Sequence, residues 1–286
     1  SYFQHGWTAA LETITIAILE RKLSVMDDPR SFHYFGFANK DLNLKTLAFE
    51  NHDPTHNLLT GSDIMVDENA DAPIFRKVVG EWFKDDPDSI KMLEEFMGYI
   101  LSDSHQANAL LICLGEGSNG KSVFGRILTG LVGLENTSSV PISGFSERFS
   151  LEPLLNKRLN IADESRIAEL ETSKLKSLTS GQQVSVDRKN KPEITAVMAI
   201  KQVYMLNQIP PLTYTGYAFQ RRLLILDFKH FVAREEHDRN LDETLDGELP
   251  GILNIAVAGL RRLVSHNYEF ANSANSHAPM KIIFSI

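Results

Sequence analysis

Residues 115–122 have the types and spacing that could bind a phosphate group: Gly-Glu-Gly-Ser-Asn-Gly-Lys-Ser. This order matches the pattern G-x-x-x-x-G-K-[ST], in which glycines let consecutive backbone N–H groups turn inward around phosphate oxygens. Lys121 would reach the β- and γ-phosphates of a nucleotide, and the Ser122 hydroxyl would hold Mg²⁺. A surface turn can match by chance, but an apolar run precedes this loop and helically spaced apolar residues follow it. The residues predicted to bind the nucleotide are Gly115, Glu116, Gly117, Ser118, Asn119, Gly120, Lys121, Ser122 and Val123.

Two adjacent acidic residues, Asp163 and Glu164, follow the apolar run at residues 158–162. Hydrolysis of a nucleotide at such a loop needs one carboxylate to fix the metal ion and another group to orient or deprotonate the attacking water. Parallel sheets place ligand-facing residues at the ends of their strands. We therefore expect Asp163 to contact Mg²⁺ through water and Glu164 to activate the nucleophile; the alternative is a solvated acidic turn before Ser165.

Polar residues also flank two later apolar runs: Asn207 follows residues 202–206, and Arg221 and Arg222 precede residues 223–228. An amide at a strand end can position water or sense the γ-phosphate, although a turn cap is the better local interpretation. A guanidinium can stabilise transition-state charge as an arginine finger, and a salt bridge at the sheet edge explains the pair equally well. Because a loop that supplies Lys121 and Ser122, together with the acidic pair, still lacks a further cation for the transition-state charge, we expect Arg222, with Arg221 as second candidate, to act on a neighbouring subunit. The predicted catalytic residues are Lys121, Asp163, Glu164, Asn207 and Arg222.

The clearest basic cluster is formed by Arg188, Lys189 and Lys191, in a turn between two short stretches of alternating apolar residues. The alternation predicts a hairpin across residues 187–192. A hairpin with this tip can contact nucleic-acid phosphates, and a solvated tip would have the same composition. Both interpretations stay open on these residues alone.

Apolar runs at residues 109–114, 158–162, 202–206 and 223–228 alternate with helical patterns, which predicts a mostly parallel α/β sheet with helices on both faces. Helices are expected at residues 11–23, from Pro87 onward, after Lys121, at 173–178, near 238–245 and at 252–264. We expect an N-terminal helical and β-rich region at 1–86, a core at 87–230 and a C-terminal helical extension at 231–286.

Composition narrows the possible classes of protein. The charge of −8 argues against a surface that binds nucleic acid or anionic lipid all over, so any nucleic-acid contact must be local. The apolar runs are too short to cross a bilayer, and we expect no membrane partner. A single cysteine, Cys113, indicates a reduced, cytoplasmic setting. His52 and His56 lack further spaced ligands, so we expect a polar loop there rather than a metal site.

Taken in order, these motifs resemble those of the superfamily III helicases of viruses, phages and plasmids, most closely the phage/plasmid primase-helicase branch that includes poxvirus-type proteins. Residues 115–122 look like its Walker A motif, 160–164 like Walker B, 207–210 like its sensor and 219–228 like its arginine-finger segment. Residues 175–181 and the basic turn at 188–191 resemble its DNA-contacting hairpin motif, and residues 39–47, 71–75 and 98–101 loosely resemble the region before its ATPase. Two departures are that Asp227 stands where the family often has proline before the phenylalanine, and that no primase or polymerase module is visible.

The resemblance implies an AAA+-like P-loop ATPase that uses ATP and Mg²⁺ in a homo-oligomeric ring, expected to be a hexamer, on single-stranded or forked DNA. It also implies a linked or separate primase or polymerase, in the cytoplasm of a host cell. Alternatives are another P-loop motor, such as a packaging motor or protein remodeller, and a non-catalytic ATP-binding replication-initiation or scaffold module. The basic hairpin argues against the first, and the intact Lys121, Asp163 and Glu164 argue against the second. A small-molecule kinase is disfavoured because an acidic pair with a distant arginine suits hydrolysis.

Overall fold

The architecture is given by a computed structural model, which describes residues 33–56, 58, 60–84, 86–117, 119–164, 172–208, 219, 221–230, 238 and 240–271. Its strands are β1 (Tyr34–Gly36), β2 (Asp41–Asn43), β3 (Ala48–Glu50), β4 (Leu110–Leu114), β5 (Thr137–Ser138), β6 (Leu159–Glu164), β7 (Val184–Arg188), β8 (Lys191–Ala196), β9 (Lys201–Leu206) and β10 (Leu223–Asp227). Its α-helices are α1 (Pro73–Trp82), α2 (Pro87–Tyr99), α3 (Lys121–Val132), α4 (Thr172–Thr179), α5 (Leu241–Gly247) and α6 (Leu249–Ser265). Short 3₁₀ turns lie at Pro54–His56, Leu134–Asn136, Ile142–Ser146 and Glu152–Leu154. The helix predicted at residues 11–23 lies outside the described residues.

The central sheet has five strands in the order β10-β4-β9-β6-β5, and every neighbouring pair is parallel. Its apolar side chains alternate between two faces, as expected where both faces of a parallel sheet are covered. In β4, Leu111 and Cys113 point into one buried cluster, whereas Leu110 and Ile112 point into another. The predicted parallel α/β sheet is therefore confirmed.

The first face of the sheet is covered by α3, by the helices α1, α2, α5 and α6, and by the small antiparallel sheet β1-β2-β3. Asp86 caps α2 by accepting a hydrogen bond from the Ser89 backbone N–H at 3.1 Å, which stabilises the start of that helix. The Arg262 guanidinium of α6 bonds Glu95 of α2 at 2.7 Å. These contacts fix α6 against α2, beneath the elements that hold the loop at residues 115–122.

The second face is covered by α4, by the 3₁₀ turns of residues 142–154 and by the hairpin β7-β8. Val184 and Val186 of the hairpin are buried there, and they pair with Ala196 and Ile194 of the opposite strand. That register agrees with the predicted hairpin. The hairpin is thus packed on the sheet rather than projecting freely from it.

Residues from all three predicted ranges share one cluster of buried apolar side chains. It includes Phe75 from the range 1–86, Leu93 and Leu111 from the range 87–230, and Val257 from the range 231–286. The predicted boundaries stay a prediction, and the three ranges are joined through this common core. Among the described residues, no helix is both long enough and apolar enough to cross a membrane.

Candidate nucleotide site

The predicted phosphate loop, acidic pair and Asn207 come together at the carboxyl edge of the sheet. Leu114, at the end of β4, pairs with Leu206 at the end of β9, and Leu206 pairs with Glu164 at the end of β6. The Gly115 backbone N–H donates to the Leu206 carbonyl oxygen at 3.0 Å, so the loop begins beside the strand that leads to Asn207. One edge therefore carries all three predicted features.

Two glycines of the loop have backbone conformations that favour glycine. Gly117 and Gly120 have φ angles of +110° and +93°, which side chains with a Cβ rarely adopt. A Cβ at Gly120 would also overlap the indole of Trp82, which lies against the loop. Gly120 is the N-cap of α3, so the positive end of that helix faces the loop. Ser118 lies outside the described residues.

Lys121 is turned back onto its own loop and is only 7% exposed. Its ammonium donates to the Gly115 carbonyl oxygen, and to the Asn119 side-chain oxygen at 3.2 Å. The Asn119 amide nitrogen in turn donates to the Phe228 carbonyl oxygen at 3.0 Å, which ties the loop to the end of β10. Burial lowers the pKa of Lys121, while the negative charge of Asp163 opposes that shift. The lysine is thus held near the acidic strand end.

Strand β9 separates the loop strand β4 from the acidic strand β6. Two strand spacings amount to about 10 Å, a gap wide enough for a phosphate and a cation between loop and carboxylate. The side chains of Asp163, Asn207, Glu116 and Ser122 are exposed at this edge, and Val123 is partly buried. Hydroxyl and carboxylate oxygens are the donors that Mg²⁺ prefers, so Ser122 and Asp163 fit that ion in chemistry. Within the described ranges, no group of three or more His, Cys, Asp or Glu side chains is arranged to hold a metal without help from a ligand.

The arginine pair lies at the opposite edge of the same sheet. The Leu110 backbone N–H donates to the Arg222 carbonyl oxygen at 2.9 Å, and Leu110 is at the amino end of β4. Gly115 is five residues further along, so the pair lies about 16 Å from its own loop at roughly 3.3 Å per residue. Arg221 is exposed, whereas Arg222 is partly buried.

The basic turn at the tip of the hairpin is open to solvent. Lys189, Asn190 and Lys191 are exposed. The side chain of Arg188, by contrast, folds back to donate to the Pro192 carbonyl oxygen at 2.9 Å. The Lys189 backbone N–H donates to Glu152 at 3.0 Å, which holds the tip against a 3₁₀ turn. Both lysine ammonium groups are therefore presented outward.

A family model matches residues 113–222. It is described as a family of unknown function, DUF5906. The matched range begins in β4 and ends at the arginine pair, so it contains the loop, the acidic strand end, Asn207 and the hairpin.

Solved structures of the C-terminal region of NrS-1 in apo form are similar to this chain. The first has a TM-score of 0.60 at 16% identity, covering 77% of this chain and 53% of that one. Two others have TM-scores of 0.58 and 0.54 at 14% identity, covering 78% and 74% of this chain and 54% of each of theirs. The chain thus spans about half the length of these structures, and at this identity the likeness shows a shared fold.

Three features of the structure lie beyond the sequence-based prediction. Trp82 forms a wall of the loop although it is 38 residues upstream of Gly120. At the amino edge of the sheet, Lys201 is 2% exposed and Arg158 is 4% exposed. Polar positions at the start of an apolar run carry no local signal of burial, since they are equally typical of solvated strand ends. His52 and His56, predicted to form a polar loop, place their Nδ1 atoms 2.7 and 2.6 Å from the carboxylate oxygens of the buried Asp41.

We expect the buried amine of Lys201 to make the stability of the fold depend on pH. It donates to the Ser104 carbonyl oxygen at 2.7 Å and lies 4.4 Å from the Tyr99 ring, and burial lowers its pKa to about 7 from 10.5. Between those two pH values the unfolded chain binds more protons than the folded chain. Unfolding free energy therefore rises with pH across this window, by up to about 1.4 kcal/mol per pH unit.

We expect Lys201→Met to remove that contribution, since the substitution keeps much of the volume and loses the titrating group. Urea unfolding of both chains at pH values below, within and above the window measures the difference. Between about pH 7 and pH 10, the unfolding free energy of the wild type should rise relative to that of the variant. Parallel pH profiles would show that Lys201 is charged in the folded state throughout.

Proposed function

We propose that this chain is the ATPase module of a DNA helicase from a phage, virus or plasmid replication system. The observation that carries the proposal is the shared edge: a phosphate-type loop, an acidic strand end and a polar strand end lie side by side, with one strand between loop and carboxylates. In the strand order β10-β4-β9-β6-β5, strand β9 lies between the loop strand β4 and the acidic strand β6. This order agrees with the AAA+-like fold that the motifs imply. The likeness to the C-terminal region of NrS-1 supports the fold of the proposal.

ATP and Mg²⁺ are the proposed cofactors. The loop N–H groups and the start of α3 would bind the phosphates, and Ser122 and Asp163 would hold the ion, which supplies charge neutralisation to the reacting phosphoryl group. Lys121 would leave the Gly115 carbonyl and the Asn119 amide to reach the phosphates. Glu164 would take the proton of the attacking water, and Asn207 would orient that water. Each role remains a proposal for the residue named.

The position of the arginine pair supports a ring. Because the pair lies about 16 Å from the loop of its own chain, a guanidinium that acts as a finger would serve the site of a different subunit. A head-to-tail interface of that kind repeats until the ring closes, and we propose a hexamer. Single-stranded or forked DNA would be the track, and a primase or polymerase would be joined to this module or act beside it.

ATPase turnover of the purified chain, with and without single-stranded DNA, tests the proposal. We expect hydrolysis that depends on Mg²⁺ and rises with DNA. ATPase turnover that does not change when DNA is added would favour another P-loop motor, such as a packaging motor or protein remodeller. Tight ATP binding without turnover under either condition would instead favour a non-catalytic replication-initiation module.

The hairpin should carry the DNA contacts, because the net charge of −8 argues against a surface that binds nucleic acid all over and the tip presents Lys189 and Lys191 to solvent. We expect Lys189→Ala combined with Lys191→Ala to weaken binding of single-stranded DNA while ATPase without DNA survives. Removing one phosphate contact lowers the slope of log affinity against log salt by about 0.7, so the double variant should flatten it by about 1.4. Fluorescence anisotropy over a salt series measures both quantities.

A matched control is Lys77→Ala combined with Lys84→Ala, which removes the same charge from exposed lysines at and after α1. It should leave both affinity and slope near the wild-type values. If the two double variants behave alike, the DNA site lies away from the hairpin.

A further inference from the structure

The segment with the arginine pair is bonded to the base of the hairpin. The Arg222 Nη2 atom donates to the Ser180 hydroxyl at 2.8 Å. Ser180 lies directly after α4 and four residues before β7, in the turn that leads into the hairpin. Arg221, the neighbour of Arg222, is exposed. Two adjacent arginines therefore have different surroundings: one is bonded within the chain and the other faces outward.

An apolar contact joins the same two segments. Phe219 is 2% exposed and lies in the buried cluster that contains Val184 and Val186 of the hairpin. The Phe219 carbonyl oxygen accepts a hydrogen bond from the Arg222 backbone N–H at 3.0 Å. The arginine segment thus shares a buried apolar cluster with the hairpin, and its guanidinium is bonded to the turn at the hairpin base.

The turn at Ser180 and Gly181 also lies against the segment that precedes β4, the strand that leads to the phosphate loop. Gly181 has a φ of +62°, and a Cβ there would lie 2.5 Å from the ring of His105. His105 is in the segment that leads into β4. A displacement of the hairpin base would therefore reach the segments before both β4 and β10, because close-packed segments do not deform independently.

We propose that Arg221 is the guanidinium presented to the neighbouring subunit, and that Arg222 is a positioning residue whose bond to Ser180 couples the DNA hairpin to Arg221. This inference rests on the proposed ATPase function. It gives each arginine of the pair a separate role. Arg221 extends toward the neighbouring subunit, and the placement of Arg222 depends on the position of the hairpin. Contact of DNA with the hairpin tip would then change the placement of Arg221 in the adjacent site.

Ser180→Ala tests the link while leaving Lys189, Lys191 and the proposed nucleotide-binding residues in place. Losing a hydrogen bond to a charged partner should reduce the stimulation of ATPase by a poly(dT) oligonucleotide about tenfold, while turnover without DNA is retained. Ser180→Thr keeps the hydroxyl and should restore the stimulation, which a purely structural role for the residue would not require. Arg221→Ala should lose about 10³-fold or more of turnover even without DNA, and Arg222→Ala less than tenfold.

Hydrogen exchange of the peptide that contains Arg221 and Arg222 gives a readout that does not need hydrolysis. Addition of poly(dT) should change its exchange in the wild type and in Ser180→Thr, and leave it unchanged in Ser180→Ala at equal DNA occupancy. If the wild type shows this response but no ATPase, the link stands and the proposed function fails. Two results would overturn the proposed coupling of the hairpin to Arg221. One is full stimulation of the ATPase by DNA in Ser180→Ala. The other is a hydrogen-exchange rate in the wild type that does not change when DNA is added.

Discussion

Chains in which Arg221 and Arg222 are both alanine are expected to bind ATP as tightly as the wild type and to hydrolyse it about 10³- to 10⁵-fold more slowly. The loop, Lys121 and the acidic strand end are untouched by this change, so ground-state binding should survive. The change removes the cation proposed to stabilise charge in the transition state. Calorimetric titration with a non-hydrolysable ATP analogue and steady-state turnover measure the two effects. Arg76→Ala, which removes an exposed arginine of α1, is the matched control.

Mixing distinguishes action in trans from action within one chain. Rings assembled together from Lys121→Ala chains and from the double arginine variant contain some interfaces that pair an intact loop with an intact finger. ATPase activity should therefore reappear although each parent is inactive. Rings shown to be mixed and still inactive would count against the model, except where strict coupling around the ring hides rescue. Full activity of isolated monomers would rule it out.

Glu164→Gln is expected to bind ATP and to hydrolyse it about 10²- to 10⁴-fold more slowly, since an amide cannot accept the proton of the attacking water. Lys121→Ala should lose nucleotide binding or turnover, because its ammonium is the cation within the loop. Both measurements use the same titration and turnover assays, with Mg²⁺ present and after its removal by a chelator.

Glu135→Gln provides the control for this pair of variants, as Glu135 is an exposed carboxylate in the turn after α3. Its turnover should match that of the wild type. Near-wild-type turnover in Glu164→Gln would remove Glu164 from the catalytic role and leave Asp163 or Asn207 as the group that handles water.

The parallel sheet could be predicted because its strands are continuous apolar runs that stop at polar residues. The run at residues 202–206 became β9 (Lys201–Leu206), a difference of one residue. Helix α1 was not predicted, and its stabilisation is non-local. Ala72 makes no side-chain cap, and the first N–H groups of α1 donate to Glu248 at 3.0 and 2.8 Å, from 174 and 173 residues away.

The proximity of three site features could be predicted in the same way, whereas the surroundings of the arginine pair could not. The loop, the acidic pair and Asn207 each follow a strand, and parallel strands in register bring their ends to one edge. Their roles stay predictions, but their proximity follows from the sequence pattern. Which arginine faces solvent could not be predicted, because the partner of Arg222 is 42 residues away across a helix-to-hairpin turn.

Trp82, which lies against Gly120, has an optical consequence. Its ring centroid is 5.4 Å from that of Phe228 and 6.4 Å from that of Phe124, inside an aromatic group next to the loop. The sequence has two tryptophans, Trp7 and Trp82, so Trp7→Phe leaves a single indole in the chain. Indole emission is sensitive to local polarity and to nearby charge. The loop thus has a built-in fluorophore, which lets its rearrangements be followed in real time without a label.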